Sequence, residues 1–381
     1  MHPGPAASVA SFFHFRTMMR PRSIAQLMAV AMAVSPAANA MTEDFRMEQY
    51  HKRGYTYPPS HFLPDTAGWK YLSSRRFEQA EHMPPNHKHK YDLWLQSVTS
   101  SLVQPNFTAT GWGLMRAPQE LADTLRREVR GAYEAGDYRL EHNVDVITGD
   151  QALFVSRPSL TKRVLHELLP MHEAWAGIKL HPYTAYGFRL YRNESSLYMH
   201  VDKPDTHIIS CIFHIDSSDD AEDWPIVIED YQGNTNEVVL APGDMLFYES
   251  SKCFHGRPSK FVGSWYSSVF VHYHPADPEW MNSDRRAEGH YAVPAHWREV
   301  SSARQETTPA HVVGTGLIEP DCDRNWCLLG ESVRWRGPAE EGVVLTTNGH
   351  KYPLFPSDGD GARNLRGTVG SLMDDEEEEE L

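Results

Sequence analysis

From residue 183 to residue 273 the side chains alternate between apolar and polar with a period of two, and this constrains the fold more than any other feature of the chain. Runs at 186–191, 197–202, 207–216, 225–230, 237–240, 245–249, 253–257 and 263–273 are separated by Gly, Pro, Asn and Asp. That is the pattern of short strands joined by turns. About eight such strands in roughly ninety residues argue for a double-sheet jelly roll or a small barrel.

Before this stretch the period is helical. Residues 117–135 place Leu121, Leu125, Val129 and Ala132 on one face, with Pro118 near the start, Glu120 in the first turn and Gly136 just past the end,. Residues 159–176 read as a second helix with Ser159 as its N-cap and Val164, Leu165, Leu168 and Leu169 as its apolar face,. These N-terminal helices are expected to pack on the outer face of one sheet. The fold class is therefore mainly β with flanking helices, an α+β arrangement.

The 381 residues, 40% hydrophobic with 10 Trp, 17 Tyr and 15 Phe, can build a real core,. The net charge of −15 is uneven: the acidic run 374–380 carries nearly half of it. No basic stripe occurs, which argues against nucleic acid as a partner. Five segments are expected: a targeting peptide over 1–40, an arm over 41–110 rich in Pro, His and aromatics, the β-rich domain over 111–275, an extension over 276–355 with a small hairpin near 343–352, and a disordered acidic tail over 356–381,. His87 and His89 in the arm read as solvated.

Arg16, Arg20 and Arg22 precede an apolar run over 24–34, and Ala38-Asn39-Ala40 offers a small-residue cleavage site,. The run is too short for a stable membrane span. A secretory signal peptide is the favoured reading, with an organelle transit peptide as the alternative. The sequons Asn106-Phe107-Thr108 and Asn193-Glu194-Ser195 fit a secretory route, and the C-terminal Glu-Glu-Glu-Leu loosely resembles a retrieval signal of the endoplasmic reticulum,. Cys322 and Cys327 could close a small disulfide. Cys211 and Cys253, both in strands, are a second candidate pair or else buried thiols,.

One constellation carries chemistry. His200 and Asp202 stand two apart on an expected strand, so their side chains share a face, together with Tyr198,. His255 lies on a later strand that a jelly roll can bring alongside. Two imidazoles and a carboxylate occupying one face of an octahedral ion leave adjacent positions open, the arrangement of non-heme Fe(II) oxygenases. A competing set has the same spacing: His214-Ile215-Asp216 also precedes His255, and His207, His272 and His274 are further candidate ligands. Periodicity alone does not separate the two sets.

The flanking residues add an order. Tyr191 lies nine positions before His200, Pro242-Gly243-Asp244-Met245-Leu246-Phe247 precedes His255, and Gly263-Ser264-Trp265 follows it and runs into Val269-Phe270-Val271. Over about residues 115–275 this order resembles the catalytic domain of the prolyl 4-hydroxylases, within the Fe(II)/2-oxoglutarate-dependent dioxygenases. The resemblance implies a double-stranded β-helix with His200, Asp202 and His255 as metal and catalytic residues. It implies Fe(II), 2-oxoglutarate and O2, with ascorbate as a supporting reductant. The reaction implied is hydroxylation of an unactivated C–H bond in a peptide or small molecule, peptidyl proline being the first candidate, with decarboxylation of 2-oxoglutarate to succinate. Tyr191 is carried over as a hydroxyl donor to the co-substrate.

The chain departs from that pattern in two places. The family's basic residue, ten positions after the second His, is here Trp265, so the distal carboxylate of 2-oxoglutarate needs another partner,. Arg257 is the leading substitute, because it shares a strand face with His255; a structural ion pair with an acid such as Glu249 is the competing expectation for it. Arg189, on the face of Tyr191, and Lys260 follow. Glu194 and Leu197 stand where the family commonly has Gly and Tyr, which weakens the transfer of proline specificity. The alternative function is a non-catalytic or non-oxygenase metal-binding jelly-roll module.

Overall fold

The structure is a computed structural model and describes residues 76, 97, 106–142, 144, 146–203, 206–231, 235–278, 333–346 and 349–356. The targeting peptide, nearly all of the arm including His87 and His89, the Cys322–Cys327 pair and all but the first residue of the acidic tail lie outside the described residues.

In chain order the elements are β1 (Trp112–Arg116), α1 (Gln119–Ala135), β2 (Arg139–Leu140), β3 (Ile147–Thr148), β4 (Leu153–Phe154), α2 (Pro158–Glu167), α3 (Leu169–Ala176), β5 (Leu180–Tyr191), β6 (Ser196–His200), β7 (Ile209–Ser217), β8 (Ile226–Glu229), β9 (Thr235–Val239), β10 (Asp244–Tyr248), β11 (His255–Arg257), β12 (Tyr266–Pro275), β13 (Val333–Arg336), β14 (Val343–Leu345) and β15 (Lys351–Pro353). They form two sheets, ordered β15-β14-β1-β10-β7-β12-β5-β4-β2 and β13-β9-β8-β11-β6-β3. Numbering β5 to β12 from first to eighth, the larger sheet runs first-eighth-third-sixth and the smaller second-seventh-fourth-fifth. The chain thus crosses between sheets as a jelly roll does.

Each expected strand exists, with shifted ends. The longest discrepancy is β5, which begins at Leu180, six residues earlier than its alternation suggests, and pairs along its length with β12. The helix expected over 159–176 is broken at Leu168, because Pro170 sits in the first turn of α3 and has no N–H to continue α2,. Its N-cap is Arg157, not Ser159: Pro158 takes the first helical position, where its fixed φ is already suitable,. Gly136 ends α1 in the left-handed conformation at φ 68°, and its N–H bonds the carbonyls of Ala132 and Tyr133,.

The larger sheet is apolar on both faces for different reasons. One face packs under the helices, where Leu121, Leu125, Val129 and Trp175 meet Phe213, Phe247, Val269 and Val271. The other meets the smaller sheet through Trp112, Leu114, Ile212 and Leu246 against Ile226, Ile228 and Val238. Each fully buried side chain of this size contributes about 1.5–3 kcal/mol. Toward β5, β6 and β11 the layer holds the buried polar side chains Arg189, His255 and Arg257, and there the candidate residues lie. The hairpin expected near 343–352 is present as β14 and β15, which extend the larger sheet. Cys211 and Cys253 are free and buried, so they do not pair.

Candidate metal centre and co-substrate pocket

His200 is the last residue of β6 and His255 the first of β11, and the two face each other as a cross-strand pair. Asp202 lies two residues past the end of β6. One ligand atom from each of the three lies within 4.8 Å of the others, with His200 Nε2 at 3.6 Å and His255 Nε2 at 4.0 Å from the Asp202 carboxylate. Both imidazoles are oriented by the backbone: His200 Nδ1 bonds the Tyr198 carbonyl at 2.7 Å and His255 Nδ1 the Cys253 carbonyl at 2.8 Å. The Nε2 atoms are thereby left as acceptors aimed at the same point, the second-sphere arrangement that metal-binding histidines use.

Electrostatics favours ligation. Burial, together with His200, lowers the His255 imidazole to about 4, so it is neutral at ordinary pH,. Burial opposes ionisation of Asp202, yet its hydrogen bond with His200 and the neighbouring His255 and His272 hold it well below the usual carboxylate range. Neutral imidazoles and an ionised carboxylate are the forms a divalent cation takes.

The end of β10 holds the Asp202 loop. The Tyr248 hydroxyl donates to Asp202 Oδ2 at 3.3 Å, the Asp202 N–H donates to the Ser250 carbonyl at 2.8 Å, and Ser250 Oγ donates to the His207 carbonyl at 2.8 Å. Burial, reinforced by Asp202, pushes the Tyr248 phenol well above its ordinary value, so it stays a donor. Sequence reading missed Tyr248 and Ser250; neither carries a motif. His272 is also close, its Nδ1 3.9 Å from Asp202 Oδ2 but bonded to Ser210 Oγ at 2.8 Å, with the His207 ring tilted against it at a centroid distance of 3.9 Å. His274 turns away and stacks on His181.

The competing His-X-Asp set does not assemble. A bulge between Ser267 and Ser268 in the pairing of β12 with β7 places an extra residue at Ile215,. His214 faces the interior, stacked on Tyr266 at 3.9 Å with an interplanar angle of 4°. Asp216 is turned to α1, where Arg130 and Arg126 pair with it. The alternation that puts residues i and i+2 on one face fails at a bulge.

Beyond the triad the interior holds two arginines. Arg257 is 2% exposed. Its Nη1 donates to the Trp224 carbonyl and its Nη2 to the Tyr266 hydroxyl at 3.0 Å, and the guanidinium lies 4.6 Å from the rings of both Trp224 and Tyr266. No carboxylate pairs with it among the described residues. The expected competitor, Glu249, is engaged elsewhere, accepting from the N–H groups of Phe107 and Thr108 and from the Tyr231 hydroxyl. Arg189 also points inward but is already neutralised: Nε and Nη2 grip Glu141 at 2.6 and 2.8 Å, while Nη1 donates to the Tyr191 hydroxyl at 3.2 Å. Lys260 does not reach the interior. Its side chain is 68% exposed and paired with Glu194, because it sits in the loop between β11 and β12.

Trp265 packs on the helix side, against Tyr133 at 5.3 Å. Its neighbour Tyr266 turns inward to join Tyr191, Trp224 and Phe261. Counting ten positions past His255 therefore lands one residue short of the interior. Gly256 separates His255 from Arg257, and a side chain there would meet the Tyr198 carbonyl oxygen at 2.7 Å, so only glycine lets β11 lie this close to β6.

The residues fit a divalent cation with a chelating dicarboxylate: a histidine–aspartate–histidine face, and on the same strand as His255 a buried guanidinium with no carboxylate partner among the described residues. No protein-family model matches the sequence, and no curated protein does. Solved structures with similar folds include a prolyl 4-hydroxylase from Pseudomonas putida, at 16% identity over 48% of this chain and 100% of that chain with a TM-score of 0.35. A prolyl hydroxylase from Trichoplax adhaerens, in complex with a peptide fragment of the hypoxia inducible factor oxygen degradation domain, shares 11% identity over 55% of this chain and 98% of that chain, with a TM-score of 0.36. HygX from Streptomyces hygroscopicus, with nickel, 2-oxoglutarate and hygromycin B bound, shares 12% identity over 44% of this chain and 84% of that chain, with a TM-score of 0.33.

Proposed function

We propose that this chain is an Fe(II)/2-oxoglutarate-dependent dioxygenase that hydroxylates an unactivated C–H bond, with peptidyl proline as the first substrate to test. The observation that carries the reading is the pairing of a convergent His200, Asp202, His255 set with Arg257, a buried cation lacking an acidic partner among the described residues, two residues from His255 along the same strand. Residues two apart on a strand are about 6.6 Å apart, a separation that a five-carbon diacid spans when one end chelates the metal.

His200, Asp202 and His255 would hold the metal, which when bound supplies the oxidation of the co-substrate and of the substrate C–H bond. The chain's own share is placement. Arg257 and the Tyr191 hydroxyl orient the diacid, Trp224 and Phe261 keep water from its inner end, and Tyr248 with Ser250 fixes the Asp202 carboxylate. Asp202 stays ionised and His255 neutral, so neither group needs to exchange a proton before ligation.

The direct experiment incubates the protein with Fe(II), ascorbate and 2-oxoglutarate, with and without proline-rich peptides, and measures succinate against a His200→Ala control. Succinate formation above that control supports the reading, and its stimulation by a peptide supports a peptidyl substrate. Equal succinate from the wild type and His200→Ala, with every peptide tried, would leave the chain as a metal-binding module.

A further inference from the structure

We propose that Thr108 and Glu249 are positioning residues for the metal centre: the segment 106–111 grips the turn 249–253, and that turn carries the holds on Asp202 and His255. The inference rests on the metal-binding part of the function proposed above and concerns residues outside the ligand set.

The turn joins β10 to β11. Its own backbone closes it, the N–H groups of Lys252 and Cys253 both donating to the Glu249 carbonyl at 2.9 Å. Two of its carbonyls face the ligands. That of Ser250 accepts the Asp202 N–H at 2.8 Å, and that of Cys253 holds His255 Nδ1 at 2.8 Å. One turn therefore sets the place of the carboxylate and the direction of the second imidazole. His200 is held separately, by the Tyr198 carbonyl on its own strand.

Glu249, Ser250, Ser251 and Lys252 are polar, yet each is no more than 2% exposed. A buried polar turn has no apolar anchor of its own, so its groups must find partners. Segment 106–111 supplies them. Glu249 accepts from the Phe107 N–H at 3.0 Å, from the Thr108 N–H and hydroxyl at 2.8 Å each, and from the Tyr231 hydroxyl at 2.6 Å. A carboxylate takes about four hydrogen bonds, so these donors fill it. The Glu249 N–H donates to the Gly111 carbonyl at 2.8 Å, and Lys252 Nζ donates to Asn106 Oδ1. Gly111 has φ 80°, and a Cβ on it would lie 2.5 Å from Cys253 Sγ, so the segment lies directly against the turn.

Thr108 joins the two pieces. Its hydroxyl donates to Glu249 and accepts the Gly111 N–H at 3.0 Å, so one side chain fixes both the bend of the segment and the carboxylate of the turn. Both polar side chains of the Asn106-Phe107-Thr108 sequon are thereby committed to this contact. Loosening the grip frees the turn, and the carbonyls of Ser250 and Cys253 move with it while His200 stays. The outcome is a distorted ligand face, with no ligand lost.

The test uses the full chain without iron or co-substrate. Calorimetry gives the Mn(II) affinity, and visible absorption of bound Co(II) reports the geometry of the ligand set. Each is measured at a temperature where circular dichroism shows the variant folded. Thr108→Val is expected to weaken Mn(II) by about three- to tenfold, at or below the lower end of what a direct partner of a metal ligand contributes, and to alter the Co(II) spectrum. Thr108→Ser keeps the hydroxyl and should match the wild type. Glu249→Gln should weaken Mn(II) at least as much as Thr108→Val. Asp216→Asn is the control: it breaks the ion pairs with Arg126 and Arg130 on the helix side and should lower the melting temperature with both metal readouts unchanged. Wild-type Mn(II) affinity and an unaltered Co(II) spectrum in Thr108→Val and Glu249→Gln would overturn the proposal. So would equal changes in Asp216→Asn, since these indicate general loosening. If the wild type binds neither ion better than His200→Ala, the metal centre itself fails and this inference with it, an outcome distinct from variants that match a metal-binding wild type.

Discussion

The hydroxyl of Tyr248 donates to Oδ2 of Asp202 across 3.3 Å, from one sheet to the loop that follows a strand of the other. Asp202 is thereby held by its backbone at Ser250 and by its side chain at Tyr248, while its other oxygen faces His200. Removing a hydrogen-bond partner of a metal ligand commonly costs 10–100-fold in metal affinity. Tyr248→Phe is expected to weaken Mn(II) or Co(II) binding by about tenfold while leaving the thermal midpoint of the metal-free protein nearly unchanged. Isothermal titration with each ion checks this.

Arg257 and Lys260 should separate cleanly. Arg257→Ala removes a buried cation and is expected to raise the KM for 2-oxoglutarate by about 10–100-fold, as loss of a charged hydrogen bond does. Lys260→Ala, in an exposed pair worth about 0–1 kcal/mol, should leave that KM unchanged. Succinate formation at varied 2-oxoglutarate measures both.

The Arg189–Glu141 pair is enclosed, with side-chain exposures of 10% and 4%, and the Tyr186 hydroxyl also donates to Glu141. Glu141→Gln strands a buried guanidinium and should cost about 3–5 kcal/mol. The double variant Glu141→Gln, Arg189→Met should recover a large part of that loss. Urea unfolding of the single and double variants is the measurement.

Buried histidines make the fold acid-sensitive. His172, packed between Phe247 and Tyr273, is lowered to about 3 by burial, and His214 likewise. Each is neutral in the folded state and takes up a proton in the unfolded chain below about pH 6.5. Stability of the metal-free protein is therefore complete above that value and falls as pH drops from 6.5 toward 3, because the unfolded state binds more protons. His172→Phe should flatten the fall while changing stability at pH 7.5 by less than about 1.5 kcal/mol. Urea midpoints over this range test it.

Gly256→Ala would drive a methyl group into the Tyr198 backbone. Backbone cannot yield as a flexible side chain does, so a cost of about 1–3 kcal/mol is expected, together with weaker metal binding, since His255 must shift with its strand. Circular dichroism melting and a Mn(II) titration report the two effects separately.

The strands were legible from their alternation, and the convergence of His200, Asp202 and His255 from the spacing of His200 and Asp202 together with a later strand that could lie alongside. Tyr191, nine residues before His200, and the turn before His255 distinguished that set from the one at His214. What failed was counting across irregularities. The bulge at Ile215 separates His214 from Asp216, and the loop between β11 and β12 exchanges the faces of Trp265 and Tyr266, so parity carried through either one predicts the wrong side. Contacts distant in sequence were also hidden. Glu141 neutralises Arg189 from 48 residues upstream, and nothing in the sequence around Arg189 distinguishes it from Arg257, which has no carboxylate partner among the described residues.

The cross-strand pairing of His200 with His255 has a mechanical consequence. Both residues stand at strand termini, where fraying begins, and a cation bound between them would act as a removable rivet joining β6 to β11. Any ion that binds the native state and not the unfolded chain shifts folding by mass action. If the proposed metal is bound, chelators should therefore lower the melting temperature, with the smaller sheet loosening first.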